Sequence, residues 1–423
     1  MIKNLKKDGI VKDSAYMIFS NMYSKFAAYL FYFLIPFILG TEGFGVIKGL
    51  MPILDTLVII FCSGIPPAMA KYISGGDFKE NTWIYDILKV MFIFSIFGGI
   101  FTVFLKYMLG GNYSNLPNVY FYAVALALPF SVVISWSRGV LQGNLKIKNL
   151  SKTWILENTS KVVFLVILSY LFGIVGGILS ISVSFLIGGI FGIYLLSKSN
   201  LEYSFSNILK NIFSPIREKE SVKKVIYYSI PIALTTASYR LVNDLDGIFI
   251  LSMLGAYDNG VYGYASLLSR LLFLFASAIA IVLIPRISKS KDISYFKKAT
   301  ILNISIVLPA LLIIFLFSKE LLNLFFGIST PESITSLKIL SVSAVFMSTY
   351  TICASSLQGL GYAKIPVYVL FLGILLNAVF NYTLIPNMGI IGGAIATLSS
   401  SFVVFVLVWI ITFNKLKKIK YNS

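Results

Sequence analysis

The sequence predicts an all-α integral membrane protein of about twelve transmembrane helices, arranged as two pseudo-symmetric six-helix bundles. Three observations carry that expectation: long uninterrupted apolar runs, Lys and Arg gathered in alternate connections, and motifs that return after about 216 residues.

The first observation begins with composition. Of 423 residues, 57% are hydrophobic and 12% charged, with a mean hydropathy of +0.87, whereas soluble domains carry roughly a quarter charged residues. No soluble fold hides that much apolar surface, and the runs are continuous rather than alternating, which argues against a β-barrel. The 35 Phe and 25 Tyr suit long helices with rings both in the apolar zone and at the headgroup level. On a soluble chain a net charge of +18 would point to nucleic acid. Here the basic residues fall between the apolar runs, and no RNA-binding motif or basic aromatic patch interrupts them, so nucleic acid is not an expected partner. Cys62 and Cys353 lie far apart inside apolar runs and read as small core residues. The sequence contains no histidine, which removes imidazole ligands, imidazole proton relays and Ser-His catalysis, and no metal site is expected. The apolar run after Lys12 is too long for a cleavable signal, and no small-residue cleavage site follows it.

A helix needs about 20 mostly apolar residues to cross the hydrocarbon core. That ruler marks spans at approximately 15–39, 46–73, 85–109, 118–141, 154–172, 174–197, 226–253, 260–284, 299–317, 335–357, 365–385 and 390–413. The stretches 154–172 and 174–197 also read as one hairpin or one broken helix. Prolines at 36, 52, 66, 67, 129, 231, 309 and 366 fall in or at the ends of spans, where each removes a backbone hydrogen bond and can bend the helix.

Charge tests the count independently, because cytoplasmic connections collect Lys and Arg. The odd-numbered connections hold Glu42, Asp258, Lys319, Glu320 and Glu332 and little else. The opposite side holds Lys3, Lys6, Lys7 and Lys12, then Lys71 and Lys79, then Lys146, Lys148 and Lys152. It continues through Lys198, Lys210, Arg217, Lys219, Lys223 and Lys224, Arg286, Lys289, Lys291, Lys297 and Lys298, Lys364, and finally Lys415, Lys417, Lys418 and Lys420. An error of one helix would put basic loops on both sides. The expectation is therefore an even count in the cell membrane, with both termini and residues 198–225 cytoplasmic.

The third observation is the repeat. Leu141-Gln142-Gly143 returns as Leu357-Gln358-Gly359, and Gly173-Ile-Val-Gly-Gly177 as Gly389-Ile-Ile-Gly-Gly393, both 216 residues on. Leu39-Gly40 and Gly45-Val46 return as Leu254-Gly255 and Gly260-Val261, and Ile65-Pro66 as Ile284-Pro285. Six helices, an even number, separate equivalent points, so the halves share one orientation, as in transporters whose site lies between the repeats. The expected division is 1–199, a linker at 200–225, and 226–423. Within the linker, Leu201, Phe205, Ile208, Leu209 and Ile212 share a helical face. That face reads equally as lying on the cytoplasmic leaflet or as packed on the bundle.

Charges deep in spans are costly and usually face the protein interior or a wet cavity; the informative ones are Lys25, Asp55, Arg240, Asp244, Asp246 and Arg270. At the repeat offset Lys25 corresponds to Arg240 and Asp55 to Arg270. The first helix of each half thus carries a cation at matching depth, and the second helices carry opposite charges. Lys and Arg in a low-dielectric cavity attract phosphate or diphosphate, Arg bidentately; Lys25, Arg240, Arg270 and Asp55 are therefore the candidate substrate-binding residues. The bland alternative is mutual neutralisation, of Arg240 by Asp244 one turn away and of Asp55 by Arg270 across the halves. Lys48 and Arg138, near span ends, read as snorkelling to the surface. Asn377, Asn381 and Thr397, with Asp244 or Asp246, offer oxygen ligands to a small hard cation, against the alternative of structural amides bonded between helices.

Asn243-Asp-Leu-Asp-Gly-Ile-Phe-Ile-Leu-Ser-Met-Leu-Gly255, Asn259-Gly-Val-Tyr-Gly-Tyr-Ala265 and Ile284-Pro-Arg-Ile-Ser288 resemble the seventh and eighth helices of polysaccharide flippases. These belong to the multidrug/oligosaccharidyl-lipid/polysaccharide superfamily. Phe44-Gly45, Ser63-Gly-Ile-Pro-Pro-Ala-Met-Ala-Lys71 and Leu357-Gln-Gly-Leu-Gly361 are similar to the same group, including its sporulation-type and lipid II relatives, and the likeness runs the length of the chain. The resemblance implies a V-shaped pair of bundles that opens a cavity alternately to each side. It implies as cargo a lipid-linked oligosaccharide, whose diphosphate suits cations at Lys25, Arg240 and Arg270. Lipid II flippases carry further spans, so a surface or glycosylation oligosaccharide is the better match. Sodium-binding relatives use acidic and amide positions resembling Asp244, Asn377 and Asn381, but the amide at 381 makes this set less acidic; no cofactor is expected, and Na+ or H+ is the coupling ion the resemblance allows.

Two other functions compete. A cation-coupled drug exporter of the same superfamily would favour carboxylates in the cavity, whereas these deep charges lean basic. A membrane-embedded glycosyltransferase or ligase generally needs catalytic carboxylates or a histidine in a substantial outer loop, and no outer loop exceeds about seventeen residues by the span ruler. A monomer is expected, in contact with the bilayer and with glycosyltransferases or a polymerase of the same pathway.

Overall fold

The computed structural model describes residues 9–78, 82–199, 203, 205–212, 214–272, 276, 279–280, 283–284, 286–288 and 293–421. Lys3, Lys6, Lys7, Lys79, Leu201, Pro285, Lys289 and Lys291 lie outside the described residues, as do the side chains of Lys12, Leu209, Asn243, Lys418 and Lys420.

Among the described residues every regular element is a helix. They are α1 (Gly9–Val58), a π-helical turn (Ile59–Ser63), α2 (Pro66–Gly75), α3 (Thr82–Leu109), α4 (Asn112–Asn115), α5 (Asn118–Gly143) and α6 (Ile147–Ser197). They continue with α7 (Phe205–Ile212), α8 (Lys219–Met253), α9 (Ala256–Ser269), α10 (Ile293–Phe326), α11 (Pro331–Gly359) and α12 (Lys364–Tyr421). Three of these helices join two passes across a glycine with positive φ: Gly40 (+70°) in α1, Gly173 (+58°) in α6 and Gly389 (+58°) in α12. Gly255 (+108°) separates α8 from α9 in the same way. Counted through these breaks, the passes agree with about twelve spans, the eighth being described only in part. Residues 154–172 and 174–197 are two passes meeting at Gly173.

The repeated glycines explain the repeated breaks. A side chain is disfavoured at φ near +60°, so Gly40 and Gly255, and Gly173 and Gly389, mark equivalent turns in the two halves. Their companions matter as much: a Cβ on Gly176 would lie 1.8 Å from the Leu168 carbonyl oxygen, and one on Gly392 would lie 2.4 Å from that of Leu384. The second pass of each hairpin thus crosses its predecessor backbone to backbone. Proline acts at one irregular pass. Pro66 and Pro67 open α2, and ahead of them Gly64 N–H reaches Ile59 O (2.9 Å), the wider bond of a π turn. Pro129, Pro231 and Pro309 sit inside continuous helices.

The chain packs as two units, Met1–Gly43 with Ile53–Ala237, and Phe44–Pro52 with Ser238–Ser423. Packing and sequence repeat thus divide the chain differently, since part of the second pass groups with the later residues. The first unit's core holds Trp83, Trp136, Met91 and Leu196, with Trp136 Nε1 donating to Ile84 O at 2.8 Å. Tyr203 and Ile208 are buried in this same core, with Ile212 packed against it, so α7 rests on the bundle rather than lying on the lipid. Asp86 and Lys89 hold the chain that follows. Asp86 Oδ2 accepts the N–H groups of Arg217 and Glu218 (2.9 and 3.0 Å), while Lys89 Nζ donates to Asp86 (2.7 Å), Ser214 and Pro215 O. The second unit's core holds Phe296, Tyr350, Cys353 and Leu357. Long helices in both units leave large apolar side chains exposed, including Phe97, Phe104, Phe172, Leu312 and Leu316. Such continuous apolar surface belongs against lipid.

Candidate functional site

Seven described helical stretches are long and apolar enough to cross a membrane. Helix α8 is not among them, because Arg240, Asp244, Asp246 and several hydroxyl residues replace apolar ones. Both acidic side chains are nevertheless buried, at 5% and 3% exposure. Burial of this kind requires partners, and within the second unit they come from three elements.

Glycine spacing lets those elements approach. A Cβ on Gly45 would lie 1.8 Å from Ala256 O, and one on Gly49 would lie 2.2 Å from Leu251. Asn259 Nδ2 donates to Gly45 O at 2.7 Å, and the Phe44 ring stacks on Tyr264 with centroids 5.3 Å apart. Segment 44–52 is thereby fixed against α9 and the end of α8. Its Lys48, 6% exposed, reaches Asp244 Oδ1 at 3.3 Å. From the turn that ends α9, Arg270 Nη1 donates to the same oxygen at 2.6 Å, and Arg240 Nε lies 3.6 Å from Oδ2. Three cations therefore converge on one carboxylate.

Asp246, two residues on, faces different chemistry. It accepts from Gly247 N–H (2.8 Å), from the buried Tyr262 hydroxyl and from Thr397 Oγ1 (3.5 Å). Asn377 Nδ2 donates to Thr397 Oγ1 (3.4 Å) and Ser400 Oγ (3.1 Å), and Asn381 Nδ2 donates to both carbonyl oxygens of Asn377 (2.9 and 2.8 Å). Among the described residues Asn381 Oδ1 is buried with no hydrogen-bond donor. Asp246, Thr397, Arg270, Ser269 and Ser343 line a small cavity of about 30 Å³, room for a water or a small ion.

The sequence-derived set thus separates. Arg240, Arg270 and Asp244 form one cluster, and Asp246, Asn377, Asn381 and Thr397 form another, with Asp246 rather than Asp244 on the cavity. The neutralisation of Arg240 by Asp244 is seen, but shared with two further cations. Arg270 bonds Asp244 at 2.6 Å. Lys25 and Asp55 lie half-buried in the first unit. The snorkelling reading fails twice. Lys48 is buried against Asp244, and Arg138 pairs with Glu157 at 2.5 Å while donating to Thr153 Oγ1 at 3.1 Å. In each case a carboxylate inside the protein, buried Asp244 or half-buried Glu157, takes the place of water. Tyr262 was not singled out by sequence, although a buried tyrosine hydroxyl regularly has a polar partner.

Comparison with known proteins follows the same lines. Residues 10–291 match the family model described as polysaccharide biosynthesis protein, and residues 231–383 match the MatE model. The uncharacterized membrane protein MJ1375 of Methanocaldococcus jannaschii is 48% identical, over 97% of this chain and 99% of that protein. The capsular polysaccharide biosynthesis protein CapF of Staphylococcus aureus is 24% identical, over 94% and 98% of the two chains. The solved structure titled lipid II flippase MurJ, inward closed conformation, superposes with a TM-score of 0.71 at 16% identity, over 96% of this chain and 90% of that one.

Proposed function

Because the chain belongs to the polysaccharide biosynthesis protein family, of the multidrug/oligosaccharidyl-lipid/polysaccharide superfamily of membrane flippases and transporters, we propose that it moves a lipid-linked oligosaccharide across the membrane. The diphosphate and glycan pass through the protein while the lipid tail remains in the bilayer. The observation that carries this reading is the convergence of Lys48, Arg240 and Arg270 on Asp244. Cations gathered within membrane passes are costly without an anion to meet, and an internal carboxylate is a modest counterpart for a diphosphate. Arg240 is the most accessible of the three, its side chain 41% exposed against 24% for Arg270 and 7% for Lys48. It is the first a cargo phosphate would meet, and its planar guanidinium binds phosphate bidentately. The basic cluster also weighs against a drug exporter, whose cationic cargo it would repel.

Cation coupling is part of the same reading. Asp246 and Thr397 present oxygen atoms to one small cavity that Arg270 also lines, and Asn377, which donates to Thr397, links them to the buried, undonated Asn381 Oδ1. Oxygen ligands of this kind suit Na+ better than a soft metal. With a single carboxylate in the set, Na+ binding is expected to be weak, and proton coupling through Asp246 is the alternative that Na+ omission separates. The test is transport by purified protein in proteoliposomes, offering a lipid-linked diphospho-oligosaccharide and ethidium in parallel. Movement of the lipid-linked sugar without ethidium supports the proposal; movement of ethidium alone refutes it.

A further inference from the structure

A second cavity lies away from these residues, in the second unit, where the eighth and ninth passes approach their basic connection. Its volume is about 450 Å³, and it is lined by Ile279, Leu283, Arg286, Tyr295, Lys298, Ala299 and Leu302. That size falls in the range of small-molecule sites. Its chemistry is graded along both walls. Ile279, Leu283 and Arg286 follow one another at helical spacing on one pass, and Leu302, Lys298 and Tyr295 do so on the other. The first stripe runs from two aliphatic side chains to Arg286, and the second from Leu302 through Lys298 to Tyr295. Leu283 and Ala299 are buried, at 3% and 7% exposure, whereas Leu302 is 52% exposed and leaves the groove open at its apolar side. Arg286 is exposed, and its guanidinium sits 5.9 Å from the Tyr295 ring centroid, a cation–π contact that joins the two walls of the groove.

We propose that this groove holds an anionic phospholipid, with its phosphate between Arg286 and Lys298 and one chain along Ile279, Leu283 and Leu302. A soluble peptide or nucleotide would leave the aliphatic end unused, and a zwitterionic lipid would bring its own ammonium against the same two cations. Basic pockets between transmembrane helices select anionic headgroups on this principle. The lipid is a resident of the fold, separate from the cargo pathway, and it braces the foot of the two passes.

The test is native mass spectrometry of the full-length protein, delipidated and titrated with phosphatidylglycerol or phosphatidylcholine. Wild-type protein is expected to retain phosphatidylglycerol at least tenfold more tightly. Arg286→Gln and Lys298→Gln should each weaken it about fivefold, and together about twenty-five-fold, at roughly one charge's contribution each. Lys297→Gln with Lys417→Gln removes equal charge outside the groove and should change nothing. Ala299→Phe fills the groove with both charges intact, and should also lose the lipid. Inorganic phosphate at matched concentration should not compete. Unchanged retention by the Arg286→Gln, Lys298→Gln double variant, equal retention of the two lipids, or displacement by inorganic phosphate would each overturn the proposal.

Discussion

At Asp244 the physical problem is one carboxylate and three cations, and the distances rank how each is held. Arg270 at 2.6 Å and Lys48 at 3.3 Å are within hydrogen-bond reach of Asp244, whereas Arg240 at 3.6 Å lies just beyond it and is the most exposed. Removing Asp244 takes a carboxylate partner from buried Lys48 and half-buried Arg270. Asp244→Asn should therefore cost about 3–5 kcal/mol, read as a large drop in melting temperature in detergent. Arg240→Gln leaves the other two pairs in place and should cost less than about 1 kcal/mol, and it should not restore the stability lost by Asp244→Asn. On the neighbouring cluster, Asn381→Asp adds a carboxylate to the buried, undonated position, and should raise the dependence of transport on Na+; Asp246→Asn should abolish it. Transport measured against Na+ concentration checks both. Sequence reached most of these residues, because a charge inside an apolar run is conspicuous. Lys48 escaped because its partner is 196 residues away, and its position near a span end fits snorkelling until the packing at Gly45 and Gly49 is known. Local spacing identified Asp244 for Arg240, but had no means of finding that Arg270 and Lys48 share it.

Among the elements, the hairpins at Gly173 and Gly389 show what the repeat encodes. Both glycines take φ +58°, and both are followed three residues later by a glycine whose Cβ would strike a carbonyl of the preceding pass. Gly173→Ala should cost about 1–2 kcal/mol from the backbone conformation. Gly176→Ala should cost more, since a carbonyl backbone has to move, and melting of the two purified variants gives the order. These turns were legible from the sequence because the backbone there demands glycine. The π turn before Pro66 was not, since proline announces only that a helix is disturbed and not how the freed carbonyls are met. The linker shows the opposite limit. Its amphipathic face was visible, but the choice between lipid and protein depended on the burial of Tyr203 and Ile208, which one-dimensional periodicity does not contain. The Asp86 contacts to the N–H groups of Arg217 and Glu218 fasten the entry to α8. Asp86→Ala should accordingly increase proteolytic cleavage within residues 198–218, seen as faster appearance of two fragments.

For the whole molecule, the charge pattern proposes an orientation in which 198–225 and both termini are cytoplasmic while 110–117 and 318–334 face outside. Cysteine labelling in intact cells, with Cys62 and Cys353 replaced, should modify position 330 without permeabilisation and position 206 only after it. Composition, hydropathy and the repeat made the membrane class and the helical architecture legible, because these are set by many residues acting additively. The cargo is set by a few side chains brought together from distant positions, and for that the deep charges offered only a direction. Convergence of cations on Asp244 supplies the account's central claim, that an anionic group attached to a lipid is what the protein moves. The most direct measurement is the rate at which a lipid-linked diphospho-oligosaccharide crosses the bilayer of proteoliposomes containing wild-type protein or Arg240→Gln, matched for folded protein by their melting curves. The account predicts rapid movement with wild type and at least a tenfold loss with Arg240→Gln. Equal rates for the two proteins, or movement no faster than in empty liposomes for both, would contradict it.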